Sequence, residues 1–487
     1  MITRTWSACL DGASGQKVQI EASRQSESGP AIHITGLAGD IVRESRERVR
    51  ACLRGYGFDL PSGKLVVNLS PAATKKQGSQ LDLGMAMALA GAEGYLPQEA
   101  LLTHAFLGEL SLTGQLLPIN QALPLLDSLL DEPQLFGIVV PAANESELRV
   151  LNSKKIIPCE NIGEVLTYLN DGERPKRFFT PRVFEHQDAP SSFDKVLGHS
   201  TVKRAVEIAL SGNHHLLMIG PPGSGKTLMA ESIPELLSPL CPDEILEVMK
   251  IYSLAGMAYE NIFQRPYRSP HHSISSSAFL GGGSGTVVPG EVSLAHRGVL
   301  FLDEFAEFRR DCIEGLRQPL QSGIIHLHRV SRSVSLPAEF LLIAAMNPCP
   351  CGFKGSKYRV CHCSPENLNR YRKKLSGPLL DRFDLCVWMD STPLDLLAPS
   401  EPKAETVRAS VRRLSPLEKK GDLESESASL SSECRAWVSE YLGKSSHRSL
   451  LKVLRVSKTI ARLNSRKDVQ VSDLAEAWTY RVTEKRW

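Results

Sequence analysis

The sequence lacks any apolar run of the roughly 18–20 residues that a helix needs to cross a bilayer. It also lacks an apolar stretch after Met1, and so shows no secretory signal. Neither sign of charge dominates, because 57 Lys and Arg residues stand against 54 Asp and Glu residues. The net charge of +3 neither requires nor excludes a nucleic-acid partner, so any contact with DNA has to come from local basic patches. We therefore expect a cytoplasmic protein with no membrane partner.

Internal repeats of 20–50 residues are absent as well, which excludes a solenoid or propeller. The eleven cysteines are an odd number in a long chain without an export signal, which favours reduced thiols or a metal site over disulfides. At 487 residues the chain is too long for one compact core, and two or three domains are expected.

Two polar stretches divide the chain. Residues 173–192 contain three prolines and many charges and are the predicted linker, and a second stretch from about Pro399 to Glu433 is rich in Ser, Glu and Lys. The fold class is α/β: we predict an α+β domain over residues 1–172, a core with a parallel sheet over 193–395, and a helical lid over 396–487. Helical patterns in the lid cover Ser446–Leu463 and Ser472–Thr483.

A glycine-rich segment at 220–227 fits the pattern G-x-x-x-x-G-K-[ST] and follows an apolar strand, Leu216–Ile219. Such a loop wraps phosphates with its backbone N–H groups, while Lys226 reaches the β and γ oxygens and Thr227 ligates Mg²⁺. A glycine-rich turn without a ligand is the alternative. The candidate ATP-binding residues are Gly220, Pro221, Pro222, Gly223, Ser224, Gly225, Lys226 and Thr227.

A second apolar strand, Val299–Leu302, ends in two carboxylates. Open α/β sheets bind ligands at the carboxyl ends of their strands. We therefore expect Asp303 to hold Mg²⁺ and Glu304 to polarise the attacking water. A strand followed by Asp-Glu is common by itself. Its position about 75 residues after the phosphate loop supports its assignment to the same ATP site.

Three more residues are candidates for catalysis. Asn347 follows the strand Phe340–Met346 and is expected to orient the water. Arg382 is the candidate arginine finger for a neighbouring subunit's ATP, and a salt bridge with Asp381 or Asp384 is the alternative. Arg448, at the start of a predicted lid helix, is a candidate contact to the γ-phosphate, and Arg455 competes for that role.

These residues resemble the magnesium-chelatase branch of the AAA+ ATPases, which is similar to the replicative helicases of archaea and eukaryotes. Five further motifs narrow the resemblance, over essentially the whole chain, to the bacterial ComM/YifB family: Arg265–Ser273, Gly281–Ser284, Pro289–Glu291, Leu294–His296 and Asn347–Gly352. The resemblance implies an AAA+ ATPase that forms a hexamer of identical subunits. It also implies a helicase that promotes branch migration of DNA during natural transformation, with single-stranded and branched DNA and recombination proteins as partners.

The resemblance also implies two insertions in the AAA+ core. The first runs from about Lys250 to Gly290 within the second helix, and the second is a β-hairpin, Ile324–Pro337, before the Asn347 strand. Alternating apolar and basic residues in Ile324–Val330 are typical of a half-exposed strand, and a solvated face is the alternative to a DNA contact. The candidate DNA contacts are His326, His328, Arg329 and Arg332.

In the first domain, Lys75–Asp82 and Gly108–Ile119 resemble two motifs of the Lon-type protease domain, which has the fold of ribosomal protein S5 domain 2. The position of the nucleophilic serine is occupied by Gln80, and that of the activating lysine by Leu125, neither of which can perform the chemistry. Ser79 is one residue away and has no lysine in the expected place. We therefore expect a non-proteolytic domain that contacts DNA or assists ring assembly.

Four thiols lie within fifteen residues, enough soft ligands for a tetrahedral Zn²⁺. Their C-x-C spacing departs from the usual C-x₂-C, His362 is a possible substitute ligand, and four reduced cysteines without a metal are the alternative. The candidate zinc ligands are Cys349, Cys351, Cys361 and Cys363.

Three functions therefore remain open. A DNA translocase is the first, a metal-insertion motor like magnesium chelatase is the second, and a protein-remodelling ring is the third.

Overall fold

The structure is a computed structural model. It describes residues 2–28, 32–58, 63–177, 179, 191–259, 261–283, 287–328, 333–356, 359–375, 377–390, 401–414, 430–442 and 446–481. The chain is a mixture of helices and sheets, which confirms the α/β class, and within these ranges no helix combines the length and the apolar character that crossing a membrane requires.

The N-terminal region, residues 2–177, contains a large mixed sheet. Its strands are β1 Ile2–Asp11, β2 Ser14–Ser28, β3 Ile32–Thr35, β4 Gly63–Ser70, β5 His104–Phe106, β6 Glu109–Leu110, β7 Leu116–Leu117, β8 Gly137–Pro141 and β9 Ile156–Cys159. Its helices are α1 Asp40–Gly55, α2 Asp82–Ala92, α3 Gln98–Thr103, α4 Ala122–Leu130, α5 Glu145–Leu148 and α6 Ile162–Asp171, with a 3₁₀ turn at Ala142–Asn144.

Seven of these strands form one sheet in the order β3-β4-β2-β1-β5-β8-β9. The long β1–β2 hairpin is antiparallel, whereas β1, β5, β8 and β9 pair in parallel. Helix α2 is buried along its whole length, because its small residues allow close approach to the sheet. A Cβ atom at Gly84 would lie 2.7 Å from the Ile20 side chain.

The core region, residues 191–390, contains the second large sheet. Its strands are β10 Leu216–Ile219, β11 Tyr267–Arg268, β12 Gly281–Gly282, β13 Val288–Pro289, β14 Val299–Leu302, β15 Ile324–His328, β16 Ser333–Pro337, β17 Leu341–Met346 and β18 Leu385–Trp388. Its helices are α7 Ser200–Gly212, α8 Lys226–Glu231, α9 Pro242–Leu254, α10 Ser276–Leu280, α11 Glu291–Leu294, α12 Arg310–Gly315, α13 Pro319–Ser322, α14 Pro365–Lys374 and α15 Gly377–Leu380, with 3₁₀ turns at Ser192–Lys195, Ile233–Leu236 and Phe305–Glu307.

Five strands of the core region form a parallel sheet in the order β11-β14-β17-β10-β18. The central strands β10, β14 and β17 are completely buried, as expected for a parallel sheet with helices on both faces. Strands β15 and β16 form a separate antiparallel hairpin, and so do β12 and β13.

The first insertion starts later than the sequence predicts. Lys250 lies inside α9, and the chain then returns to the sheet as β11, the edge strand beside β14. The ring of Tyr267 stacks on Phe301, with 6.3 Å between ring centroids, which anchors this short strand. The segment that leaves the sheet is therefore 276–294, where the β12–β13 hairpin separates α10 from α11.

The C-terminal region, residues 401–481, is helical in its described parts. Its helices are α16 Ala404–Leu414, α17 Ser432–Leu442, α18 His447–Leu463 and α19 Val471–Thr479. Helices α16 and α18 pack against α7 and share one apolar core with the sheet, to which Val407, Leu454 and Leu474 contribute.

Two details of this region differ from the sequence-based prediction. Helix α16 lies within the second polar stretch, where no helical pattern was identified, because Ala404, Val407 and Val411 form a narrow buried stripe that the average composition hides. The last helix ends at Thr479 instead of Thr483.

The N-terminal and core regions are in contact through α4 and α9. Leu125 and Leu126 of α4 belong to the same apolar cluster as Ile245 and Met249 of α9. Lys250 Nζ lies 2.7 Å from Asp127 Oδ2 at the edge of this contact.

Candidate functional site

Three adjacent strands of the core sheet end at the same edge, and each is followed by a predicted site residue. Strand β10 leads into Gly220, β17 into Asn347 and β14 into Asp303. The parallel registers pair Ile219 with Met346 and Leu302 with Ala344, so the three strand ends lie side by side. This is the edge at which open α/β sheets bind ligands.

The phosphate loop, residues 220–227, has the backbone that its glycines allow. Gly223 and Gly225 have φ values of +76° and +90°, where other residues would be strained. Gly220 packs directly on the backbone of Met389, which leaves no space for a side chain.

The side chain of Lys226 lies inside this loop. Its Nζ donates hydrogen bonds of 2.9 Å to the carbonyl oxygens of Gly220 and Pro221, and it is 3.4 Å from Asn347 Oδ1. Burial lowers the pKa of Lys226, against the attraction of Asp303. An ammonium group held among oxygen atoms in this way fits a bound phosphate chain, whose oxygens are stronger acceptors.

The candidate Mg²⁺ ligands lie together. Thr227 Oγ1 donates a 2.7 Å hydrogen bond to Asp303 Oδ2, and the other oxygen of Asp303 accepts from the backbone N–H of Glu304 at 2.8 Å. Hydroxyl and carboxylate oxygens are the hard donors that Mg²⁺ prefers, so these residues fit the ion.

Glu304 has an unusual backbone conformation, with φ of +50° and ψ of +43°. A non-glycine residue in this left-handed region costs energy and is often found at functional sites. The turn directs its half-exposed carboxylate toward His272, whose Nδ1 lies 3.0 Å from Glu304 Oε2.

His272 and Tyr371 are contacts of the site to which the sequence analysis assigned no role. Tyr371 is buried and donates a 2.8 Å hydrogen bond to the carbonyl oxygen of Asn347. The adjacent histidines His271 and His272 were a visible signal, but nothing in the sequence indicated that the second one meets Glu304.

Arg382 lies on a well-anchored turn after α15. Phe383 is buried edge-to-face against Phe305, and Asp384 accepts a 3.0 Å hydrogen bond from the backbone of His215. The Arg382 guanidinium donates to Gln321 Oε1 at 3.0 Å, and the described residues form no salt bridge from it to Asp381 or Asp384. Its buried Nε atom finds no hydrogen-bond acceptor among the described residues of this chain.

Arg448 is in the first turn of α18, next to the turn that carries Arg382. It lines a small polar cavity together with Asp381, Asp384 and Lys452, and no residue of the phosphate loop lines that cavity. Among the described residues, no hydrogen bond or ion pair joins Arg448 to the phosphate loop of its own chain.

The candidate DNA contacts are only partly described. His326 is exposed on β15 and hydrogen-bonds Ser335 across the hairpin at 2.7 Å. His328 ends the same strand, and Arg329 and Arg332 lie outside the described residues.

The four predicted zinc ligands come together. Their sulfur atoms all lie within 4.8 Å of one another. The Sγ of Cys349 is 3.4 Å from that of Cys351 and 3.7 Å from that of Cys361, and the last two sulfurs are 3.6 Å apart. These distances exclude disulfides, in which the sulfurs are about 2.05 Å apart.

The Lon-like positions of the N-terminal region are internally hydrogen-bonded. The buried amide of Gln80 donates to the carbonyl oxygen of Gln77 at 2.8 Å, and Leu125 is buried in the apolar cluster of α4. The hydroxyl of Ser79 contacts the carboxylate of Glu109, and the completely buried Lys76 donates to the carbonyl oxygen of Pro71.

Comparison with known proteins gives three family matches. A family model described as "Magnesium chelatase, subunit ChlI" matches residues 192–396. "Subunit ChlI of Mg-chelatase" matches residues 20–144, and "Magnesium chelatase, subunit ChlI C-terminal" matches residues 405–481.

Individual proteins match over almost the whole chain. The uncharacterized protein YifB of Escherichia coli is 36% identical over 483 residues, which is 94% of this chain and 93% of YifB. The competence protein ComM of Haemophilus influenzae is 34% identical over 97% of this chain and 96% of its own length. A more distant similarity, 24% over 54% of this chain and 27% of the other protein, is to the DNA replication licensing factor Mcm2 of Drosophila melanogaster.

Proposed function

The chain belongs to the magnesium-chelatase-like ComM/YifB family, and on that premise we propose that it is an ATP-hydrolysing AAA+ ring that moves along DNA and promotes branch migration during natural transformation. The observation that carries the proposal is the convergence of Lys226, Thr227, Asp303 and Asn347 on one edge of the core sheet. These residues come from three strand ends that are far apart in the sequence.

Each residue of the site has a role in this proposal. Mg²⁺-bound ATP supplies the free energy for movement. Lys226 holds the phosphates, Thr227 and Asp303 hold the metal ion, and Asn347 orients the attacking water. Glu304 polarises that water, and its contact with His272 shows that a neighbouring side chain already reaches this carboxylate.

The proposal requires a ring because Arg382 acts on another subunit. Its turn is anchored on both sides, and the guanidinium has a buried Nε without a partner among the described residues of its own chain. The exposed part of the guanidinium would contact a phosphate of the neighbouring subunit's ATP. The expected assembly is a hexamer of identical subunits. Arg448 lies beside this turn. Any contact of Arg448 with a γ-phosphate would therefore be with the ATP of the neighbouring subunit that Arg382 contacts.

DNA is the proposed substrate for two reasons. The relative ComM is named as a competence protein, and the more distant relative Mcm2 is named as a DNA replication factor. The β15–β16 hairpin offers the exposed His326, and Arg329 and Arg332, which lie between these two strands in the sequence, would contact phosphates without reading sequence. Single-stranded and branched DNA are the expected ligands, and recombination proteins are the expected partners.

The proposed cofactors are ATP, Mg²⁺ and one Zn²⁺ held by the four clustered thiols. A metal-chelatase-type motor is the second candidate function, because all three matching family models carry the name of a magnesium chelatase subunit. The match to ComM over nearly its full length favours the first candidate function, the ring that moves along DNA.

Measurement of ATP turnover with and without DNA tests the substrate. We expect single-stranded and branched DNA to raise the rate, and the variant Lys226→Ala to lose at least about 10²–10³-fold of its turnover with or without DNA. A rate that no form of DNA changes, in a preparation that hydrolyses ATP, would remove the translocase proposal and favour the chelatase-type motor.

A mixing experiment tests the ring. Arg382→Ala and Lys226→Ala should each be inactive alone, with a loss of about 10³–10⁵-fold expected for a missing arginine finger. Mixed subunits should regain turnover, because a Lys226→Ala subunit can lend its Arg382 to the intact site of the other variant. Normal turnover of Arg382→Ala alone would assign the finger to another residue.

A further inference from the structure

The sulfur positions of the cysteine cluster match a tetrahedral metal site. Zn–S bonds of about 2.3 Å in a tetrahedron place neighbouring sulfurs about 3.8 Å apart. The three measured separations are 3.4, 3.7 and 3.6 Å, and all four sulfurs lie within 4.8 Å. A set of four soft donors selects zinc over the oxygen-preferring Mg²⁺ of the nucleotide site.

The backbone around the first two thiols supports a metal-bound state. The N–H of Lys354 points at Cys349 Sγ at 3.3 Å, an interaction that orients and stabilises a thiolate ligand. Gly352 provides the tight turn, with φ of +84° and a hydrogen bond from its N–H to the carbonyl oxygen of Cys349. The fourth thiol, Cys363, directly precedes Ser364, the N-cap of α14.

This cysteine loop, residues 349–363, is in contact with the nucleotide site in two places. Asn347 is two residues before Cys349, so the first ligand fixes the chain that carries the water-orienting amide. Gly352 also lies directly against Pro222 of the phosphate loop: a Cβ at this glycine would be 2.7 Å from Pro222 Cδ.

The C-terminal end of the cysteine loop is also connected to Asn347. Cys363 is followed by α14, and Tyr371 of this helix donates its hydrogen bond to the Asn347 carbonyl oxygen. A metal that joins Cys349 and Cys351 to Cys361 and Cys363 therefore closes a ring of contacts through Asn347. Binding free energy at such a site becomes folding free energy of the loop.

We infer that Zn²⁺ bound by the four cysteines holds Asn347 and Pro222 in the positions that ATP hydrolysis requires, so that ATP turnover depends on zinc as well as Mg²⁺. This inference rests on the proposed ATPase function. The thiols act as positioning residues, since they contact no substrate. Loss of zinc should therefore lower kcat and leave nucleotide binding by the phosphate loop nearly intact.

Metal analysis of the purified full chain tests the site itself. We expect one zinc per chain in the wild type and none in Cys361→Ser/Cys363→Ser, whose substitutions lie outside the strands of the sheet. The matched control, Cys241→Ser/Cys312→Ser, changes two cysteines outside the cluster and should keep its zinc. Replacement of zinc by Co²⁺ should give the visible absorption of a tetrahedral cobalt–thiolate site.

Kinetics and nucleotide binding test the coupling. Removal of zinc, by the substitutions or with a chelator, should lower kcat at least about tenfold, the range found for residues that orient functional ligands. The dissociation constant of a fluorescent ATP analogue should change less than about threefold. Returning Zn²⁺ to the chelated wild type should restore the rate, whereas Mg²⁺ alone should not, which separates the effect from misfolding of the variant.

Three results would overturn the inference or its premise. A wild-type chain without zinc that hydrolyses ATP normally would exclude the metal site. Zinc that can be removed without a change in kcat would exclude the coupling. A chain that contains its zinc and neither binds nor hydrolyses ATP would instead exclude the proposed function on which the inference rests.

Discussion

The N-terminal and core regions each place a lysine and a hydroxyl residue in a segment that resembles a catalytic motif, yet they use them in opposite ways. In the core region, Thr227 is exposed and Lys226 lies beside it among carbonyl oxygens at the edge of the sheet. In the N-terminal region, Lys76 is completely buried, and Ser79 is held by Glu109. One set is open to a ligand and the other is closed on itself.

This difference teaches that residue types alone do not define a site. Around the phosphate loop, polar side chains from separate strands converge on a common point that a ligand can reach. Around Gln80, the polar groups satisfy one another inside the N-terminal region. Buried polar groups normally find partners, so internal satisfaction indicates a structural role, and convergence at an accessible edge indicates chemistry.

Within this comparison, the largest expected effect comes from replacing one carboxylate in each region with an amide. Glu304→Gln should lower ATP turnover roughly 10²–10⁴-fold, because the amide cannot polarise the attacking water. Nucleotide binding should persist. Glu109→Gln, the matched change beside Ser79, should leave turnover unchanged. Steady-state ATPase assays compare the two, and a large loss in Glu109→Gln would show that the N-terminal region takes part in the reaction.

The next effect contrasts the two lysines. Lys226→Ala should lower turnover at least about 10²–10³-fold through loss of charge stabilisation at the phosphates. Lys76→Met keeps the buried volume and should alter only the free energy of unfolding, by at most about 3 kcal/mol for one lost buried hydrogen bond. Denaturant unfolding and ATPase assays on both variants test this contrast between turnover and stability. If Lys76→Met folds normally and is inactive, the contrast between the regions fails.

The smallest effect concerns a property that the regions share. Burial lowers the pKa of His104 in the N-terminal region and of His296 in the core region, the latter with help from Arg297. Both side chains are favoured as neutral in the folded state, so their stabilisation is present above the unfolded pKa of 6.5 and is lost as the pH falls through the lower folded value. Urea unfolding at about pH 7.5 and about pH 5.5 should show lower stability in acid.

A matched pair of substitutions locates this effect. His104→Gln should reduce the loss of stability in acid, whereas His33→Gln, at an exposed position, should not. If the free energy of unfolding falls equally with pH in both variants and in the wild type, the acid sensitivity belongs to other groups.

Much of the nucleotide site is predictable from sequence because its signals are local. The phosphate loop and the strand ending in Asp303 are recognisable from consecutive residues, and their meeting follows from the geometry of a parallel sheet. The family assignment is confirmed by matches over nearly the whole chain.

The remaining parts depend on contacts between distant segments. The hydrogen bond from Tyr371 to Asn347 and the contact of His272 with Glu304 join residues whose pairing no local pattern encodes. The edge strand β11 has only two residues, too few for any periodicity, so no local pattern corrected the start of the first insertion that the family resemblance implied. No helical pattern was identified for α16 because its three buried apolar residues are outnumbered by polar ones.

The apolar core that α16 and α18 share with α7 limits how the molecule can be dissected. A truncated chain that stops at residue 390 would uncover the face of α7 that packs against α16 and α18, and would expose an apolar patch to solvent. The isolated core region would then aggregate, and its enzymatic activity could not be measured. The C-terminal helices are thus an integral part of the fold of the nucleotide-binding half, and experiments should use the whole polypeptide.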